Sequence, residues 1–356
     1  MSESRLHPDE DVLTRAFAAI APLPPEGVLL LGIGDDAAVL RPLPGEDLVW
    51  TVDSLEEGID FERAWLDLEE AGGRAVGAAL SDLAAMGARP LALLLALGSA
   101  SEEAGRELLT LFRGAASAGE RFGAAVAGGD LTHRERGAAV TVTALGAVPA
   151  GAAIRRSGAR AGDELWVTGT LGAAAAGLRL LRSHGRARAA AEDPGAVERF
   201  VRPVPRLREG AWLLERSAVR AALDLSDGLA RDLARLCAAS RVGARLDEDA
   251  LRRVAHRRDA DGLRDALHGG EDFELLLAVA PGVAAGVAED FRARFDLPLT
   301  RVGHFVSGSG VTVRGPSGEG PLPPEGFDPL ARPSARRGPA TACRTDSQPA
   351  ERSSAS

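Results

Sequence analysis

Six short segments place aspartate beside glycine or another small residue. They are Gly34-Asp35-Asp36, Thr51-Val52-Asp53-Ser54, Ser81-Asp82, Gly128-Gly129-Asp130, Asp224-Leu225-Ser226-Asp227-Gly228 and Gly269-Gly270-Glu271-Asp272. Carboxylates on tight glycine turns suit a hard divalent cation such as Mg²⁺, which takes oxygen ligands and often bridges to substrate phosphates. Any one segment alone is ordinary turn chemistry, since Asp caps helices and Gly supplies positive φ. Six in one chain, mostly at expected strand ends, point to a cation site. The chain also contains no lysine: all 42 basic residues are arginine. That excludes the P-loop and the protein-kinase strand lysine, so any phosphate must be held by metal ions, backbone amides and arginine.

The elements that must carry these residues read as mixed α/β. Val28–Leu31 and Leu48–Val52 are strand-like and each runs into an acidic turn, which puts Asp53 just past a strand's carboxyl end, where α/β proteins place ligands. Residues 68–86 have apolar positions at helical spacing and end at Gly87, so Asp82 falls inside a helix, where propensity gives it no reason to be. Leu91–Leu97 is an apolar strand and 101–121 an amphipathic helix. Ala124–Ala127 is a short strand ending at Gly128-Gly129-Asp130, and Ala139–Leu145 alternates as a strand. Beyond a turn-rich stretch at 149–162, Glu164–Thr168 is a strand. Gly169–Gly172 then opens a helix, either as a phosphate cradle of free amides or, more simply, as a close-packed helix entry. Residues 184–196 read as a polar linker. A helix near 206–216, strand Ala221–Leu225, helix Leu229–Ala239 and strands Phe273–Val279 and Val311–Val313 follow. This gives two α/β domains, 1–150 and 151–330, and an expected disordered tail, 331–356.

Composition bounds the class. The chain has 356 residues, 45% hydrophobic and 26% charged, with net charge −9, values of a soluble globular protein without a general nucleic-acid surface. No apolar run is long enough to span a bilayer, and the acidic start is not a secretory signal, so a cytoplasmic protein is expected. Cys237 and Cys343 make neither a disulfide framework nor a zinc site. The six histidines show no metal-ligand spacing. Gly32-Ile33-Gly34 is no dinucleotide fingerprint, because Ala37 holds the third glycine's place.

The ordered series GIGDDAAVL, TVDSLEEGIDF, LSDLAAMGARP, AGGDLT, RSGARAGDELWVTG, LDLSDGLARD and GGEDFELLL, covering about residues 28–330, resembles the thiamine-monophosphate kinase family, within the superfamily of aminoimidazole-ribonucleotide synthetase-like ATP-binding proteins. The resemblance implies a two-domain α/β (α+β) fold, with an N-terminal ATP- and Mg-binding domain that pairs through its sheet in a homodimer and a C-terminal α/β domain. It implies ATP-dependent phosphorylation of thiamine monophosphate, with several Mg²⁺ ions. Asp35, Thr51, the backbone of Val52, Asp53, Asp82, Asp130, Asp224 and Asp227 match metal ligands. Gly129, Asp130, Arg156 and Ser226 match ATP contacts, and Asp60, Glu271 and Phe327 fall at the acceptor. Two departures lie at that acceptor end: Asp60 stands where the family usually has histidine, and Asp328-Pro329-Leu330 follows the aromatic in place of His-Phe. The alternatives are another ATP-using enzyme of the superfamily or a non-catalytic nucleotide-binding relative. Selenophosphate synthetase is disfavoured, because it needs an N-terminal cysteine or selenocysteine and a lysine.

Overall fold

The computed structural model describes residues 10–21, 27–282 and 284–327; the expected tail, Cys343 and the Asp328-Pro329-Leu330 departure lie outside them. The first half of the chain contains α1 (Glu10–Ile20), β1 (Leu29–Leu31), β2 (Val39–Leu40), β3 (Glu46–Glu56), α2 (Leu68–Ala85), β4 (Arg89–Ser99), α3 (Ala104–Phe122), β5 (Ala125–His133) and β6 (Ala138–Pro149). The second half contains β7 (Glu164–Thr168), α4 (Ala173–Glu192), α5 (Pro194–Val201), α6 (Leu207–Leu214), β8 (Val219–Asp224), α7 (Leu229–Ser240) and β9 (Gly243–Asp247). It continues with α8 (Glu248–Val254), α9 (Ala260–His268), β10 (Leu275–Val279), α10 (Ala284–Phe295), β11 (Leu299–Val306), β12 (Val311–Gly315) and β13 (Gly318–Pro321).

Four strands form one sheet in the order β3-β6-β4-β5, antiparallel except for β4 and β5. Its inner face, with Val49, Leu55, Leu93, Leu95, Val140 and Val142, packs on α2 and α3. These two helices approach so closely that a Cβ on Gly72 would lie 2.0 Å from the Leu111 carbonyl oxygen, and one on Gly114 1.8 Å from that of Glu69. The opposite face is covered in part by β1, where Leu29 packs on Leu91, Ala127 and Ala147, and is bare along β3, where Leu48, Trp50 and Val52 alternate outward and Trp50 is 69% exposed. Seven strands form the second sheet, β13-β12-β9-β11-β7-β10-β8. It is covered on both sides. Along β10, Leu275, Leu277 and Val279 enter the core shared with α4, α5 and α10, while Leu276 and Ala278 enter a second core with α7, α8 and α9.

α2 is the shared element. An Asp67–Glu70 capping box opens it, with the Asp67 carboxylate accepting from the Glu70 amide at 2.8 Å. Glu70 in turn pairs with Arg186 of α4 at 2.5 Å and Arg202 at 3.1 Å, fastening the helix to the second half of the chain. Gly77 lies against Pro203, and Gly87, just past the helix, meets Leu214 of α6.

Three expectations are corrected. Asp53 does not follow a strand; β3 runs to Glu56, and Asp53 sits opposite Val142 within it. Gly128-Gly129-Asp130 is likewise inside β5, paired with Leu94, Leu95 and Ala96. In both cases pairing along a neighbouring strand overrides the turn preference of Asp and Gly. The stretch 184–196 is not a linker: α4 continues through a kink at Gly185 to Glu192, and Pro194 begins α5. Its alanine and arginine residues are strong helix formers, so high polarity marks a solvated helix face there.

Candidate functional site

Three elements bring acids from both halves of the chain to one cleft. β3 turns Thr51 and Asp53 inward, toward the last turns of α2, and the Thr51 hydroxyl donates to Asp82 Oδ2 at 2.5 Å. α2 packs against β8, so Ser81 and Asp82 meet Asp224 at the end of that strand. Gly228, at φ 109°, lets the turn after Asp224 leave into α7 and presents Ser226 and Asp227 at the rim. Of the aspartates expected at strand ends, only Asp224 closes its strand; Asp82 is helical as expected.

The electrostatics show what this convergence costs. Burial pushes the Asp53 carboxyl up to about 6, and the nearby charge of Asp82 adds to it, with smaller contributions from Asp60 and Asp227. Asp224 is raised further above the usual carboxylate range, first by burial and then by Asp82; Ser81 and Arg156 pull it partly back. Ser81 Oγ is buried and makes no well-formed hydrogen bond. Among the described residues, Asp53, Asp82 and Asp224 have no arginine or histidine within ion-pair distance. Asp227 differs: Arg235 pairs with it at 2.6 Å and with Asp232 at 2.8 Å, while the Asp232 carboxylate accepts from the Asp227 amide at 2.9 Å.

At one flank stand the residues expected at the acceptor. Glu271 adopts φ 70°, which is strained for a side chain other than glycine. Its amide donates to the Ser226 carbonyl oxygen at 2.8 Å and its carboxylate is paired with the buried Arg74 of α2. Asp60 accepts from the Glu56 amide at 2.8 Å; burial raises its pKa, the charge of Glu271 adds to this, and Arg74 relieves it. The Phe327 amide donates to the Asp227 carbonyl oxygen at 3.0 Å, and its side chain is exposed.

Asp35, Gly129 and Asp130 are gathered elsewhere, in a groove of about 900 Å³ on the four-stranded sheet that also takes in Asp36, Thr141 and Thr143. Ser54, the neighbour of Asp53, reaches Thr141 at 2.8 Å. The lack of a side chain at Gly129 is explained by packing, since a Cβ would lie 1.9 Å from the Leu95 carbonyl oxygen. Val52 lies on β3, an edge strand, with its side chain outward. The exposed Arg156 guanidinium has no ion pair among the described residues. The amides opening α4 are not free: Gly172 and Ala174 donate to the buried Asp272 carboxylate, at 2.7 and 3.4 Å, so this helix entry is packed shut.

Among the described residues, no three acids, histidines or cysteines converge tightly enough to cage a metal ion. Magnesium does not require a cage: it keeps several waters and is usually held by one or two carboxylates together with substrate phosphates. Hard oxygens at Asp53, Asp82 and Asp224 with no arginine paired to them among the described residues, and the Ser81 hydroxyl beside Asp224, fit that mode. The sequence alone does not single out Arg74, Asp232 or Arg235. A signal existed for the first: Arg74 precedes Ser81 by seven residues, on the same face of a helix otherwise lined with alanine, valine and leucine.

Residues 34–148 match the AIR synthase related protein N-terminal domain, and residues 160–315 its C-terminal domain. A thiamine-monophosphate kinase of Rhodopirellula baltica is 34% identical over 297 residues, which cover 80% of this chain and 86% of that protein. The crystal structure of a thiamine-monophosphate kinase from Stenotrophomonas maltophilia superposes with a TM-score of 0.74 at 36% identity, covering 85% of this chain and 94% of the other. A structure of AaThiL complexed with AMPPCP and TMP superposes with a TM-score of 0.66 at 27% identity, covering 83% and 91%.

Proposed function

The chain belongs to the thiamine-monophosphate kinases of the AIR synthase-related family, and we propose that it transfers the γ-phosphoryl group of ATP directly to the phosphate of thiamine monophosphate, in line and with Mg²⁺. The observation that carries this reading is the buried, uncompensated meeting of Asp53, Asp82 and Asp224, drawn from both halves of the chain. The AMPPCP and TMP held by the related structure agree with the two substrates.

The acceptor is a phosphate monoester with a second pKa near 6, so at neutral pH its attacking oxygen is already mostly anionic. That oxygen bonds to the γ-phosphorus as the bond to the β–γ bridging oxygen breaks, and ADP leaves. No general base is needed, in keeping with a chain that has no lysine. Alignment and relief of repulsion between two polyanions remain. Magnesium, when bound, neutralises phosphate charge and supplies electrostatic stabilisation of the transferring group. Asp53, Asp82, Asp224 and Asp227 would hold it, with Thr51 and the Val52 carbonyl beside them and Asp35 and Asp130 contributing from the neighbouring groove. Arg156, Gly129 and Ser226 would contact ATP; Asp60 and Glu271 face the cationic thiazolium end of the acceptor, and Phe327 offers a ring to stack on it.

We divide these roles between domains at 1–150 and 151–330, and place the reaction in the cytoplasm, where ATP is available. The bare sheet face pairs with a second copy: Trp50 and Val52, 69% and 61% exposed, are too apolar and too adjacent to face water. Sedimentation velocity is expected to show a dimer that Trp50→Glu dissociates; a monomeric wild-type chain would remove this assignment. For the reaction itself, incubation with ATP, Mg²⁺ and thiamine monophosphate is expected to give thiamine diphosphate and ADP in equal amounts. Bound ATP without product would contradict the kinase reading and leave a nucleotide-binding protein.

A further inference from the structure

Arg74 lies on α2, in the first half of the chain, and is 2% exposed. A buried guanidinium is costly unless its donors are met, and its contacts here come from the second half. It pairs with Glu271, donates to the Phe200 carbonyl oxygen and stacks over the Phe200 ring at 4.1 Å, while its Nε has no hydrogen-bond partner. Glu271 holds a left-handed conformation that its side chain disfavours. Two polar contacts hold it there among the described residues: the Ser226 carbonyl oxygen on the backbone and Arg74 on the carboxylate. Asp60 lies within the field of both Glu271 and Arg74. With both acids ionised the three side chains sum to one negative charge, where the two acids alone would carry two.

We propose that Arg74 is a positioning residue of the acceptor subsite: acting through Glu271, it holds that carboxylate at the cleft and sets the net charge of the Asp60–Glu271–Arg74 group to match the single positive charge of the acceptor's thiazolium ring. Resting on the reading of the acceptor as thiamine monophosphate, it gives the subsite a charge rule. Phe200 is the anchor that keeps the guanidinium from following its partner into solvent.

The test is a kinetic cycle on the full-length chain with Arg74→Gln, Arg74→Lys, Glu271→Gln and the double variants. Arg74→Gln is expected to raise KM for thiamine monophosphate about ten- to hundredfold, the scale of one oriented contact to a charged group, with KM for ATP and kcat nearly unchanged. Arg74→Lys should recover most of the loss. Arg74→Gln/Glu271→Gln should be no worse than Glu271→Gln alone, because the two act as one unit. If Arg74→Gln does not fold, Arg74→Lys with Glu271→Gln completes the cycle. Additive losses, a parallel rise in both KM values or a fall in kcat alone would overturn the positioning role. A crystal structure of ligand-free Arg74→Gln, or of Arg74→Lys in its place, separates this idea from the kinase reading: Glu271 is expected to relax from its positive φ, least so in the lysine variant. Unchanged Glu271 geometry in Arg74→Gln, together with an unchanged acceptor KM in Arg74→Gln, refutes the inference whatever the wild-type activity.

Discussion

Two buried carboxylates leave neighbouring strands at the same level and are treated in opposite ways. Leu275 of β10 pairs with Asp224 of β8, and the Leu225 amide donates to the Glu274 carbonyl oxygen at 2.8 Å. Glu274, 1% exposed, accepts from Arg199 at 2.7 Å, from Arg206 Nε at 2.7 Å and from Thr168 at 2.6 Å, and is also paired with Arg206 Nη2. Asp224, 3% exposed, has no arginine paired with it among the described residues and faces Asp82 instead. A chain with 42 arginines does not lack cations for its buried acids. It places them on Glu274, where they tie α5 and α6 to the sheet, and leaves Asp224 without one, as the proposed cation site requires.

The largest effects should separate the two acids by kind. Asp224→Asn and Asp53→Asn are expected to lower kcat on the order of 10³-fold, the upper scale for removing one preorganised electrostatic contact, while leaving the circular dichroism spectrum intact. Near-normal turnover of either at saturating Mg²⁺ breaks the comparison at its functional end. Glu274→Gln is expected to act on stability, by about 3 kcal/mol, because it leaves the half-buried Arg199 and Arg206 without their buried partner. A thermal melt and chemical denaturation read this directly; unchanged stability would mean that the arginines are not structural.

A smaller effect sharpens the same contrast through pH. In the metal-free folded chain Asp53 keeps its proton up to about 6, against 3.8 for an ordinary aspartate. The folded state therefore binds more protons between those values, so Asp53 costs no stability below about pH 4 and costs most once the pH has risen past about 6. Without Mg²⁺, Asp53→Asn should be more stable than wild type at pH 7.5 by about 1–3 kcal/mol, and the gap should close on acidification toward pH 4. A gap that is constant, or that grows in acid, would show that Asp53 is not destabilised by its burial and the charge of Asp82.

The sequence exposes these acids unevenly. Asp82 could be placed on a helix because its neighbours repeat at helical spacing, and Asp224 at a strand end because β8 is short and apolar. Asp53 and Asp130 were read as turns, since local propensity cannot register pairing with β6 and β4 across long stretches of chain. The glycines of 169–172 left a phosphate cradle open until Asp272, a hundred residues away, was found on the Gly172 amide. Compensation is the least legible property. Arg74 and Glu271 have no sequence relation, nor do Arg206 and Glu274, so which acid is paired and which is bare emerges only from the packing of α2, α5 and α6 against the second sheet.

The central claim is that the bare acids, not the paired one, bind the cation that serves phosphoryl transfer. Paramagnetic Mn²⁺, standing in for Mg²⁺, can be titrated by electron paramagnetic resonance in the presence of AMPPCP and thiamine monophosphate. Wild type is expected to bind Mn²⁺ beyond that carried by the nucleotide alone, Glu274→Gln to retain that binding at a temperature where it is folded, and Asp53→Asn and Asp224→Asn to lose it. Undiminished Mn²⁺ binding in both aspartate variants would contradict the claim.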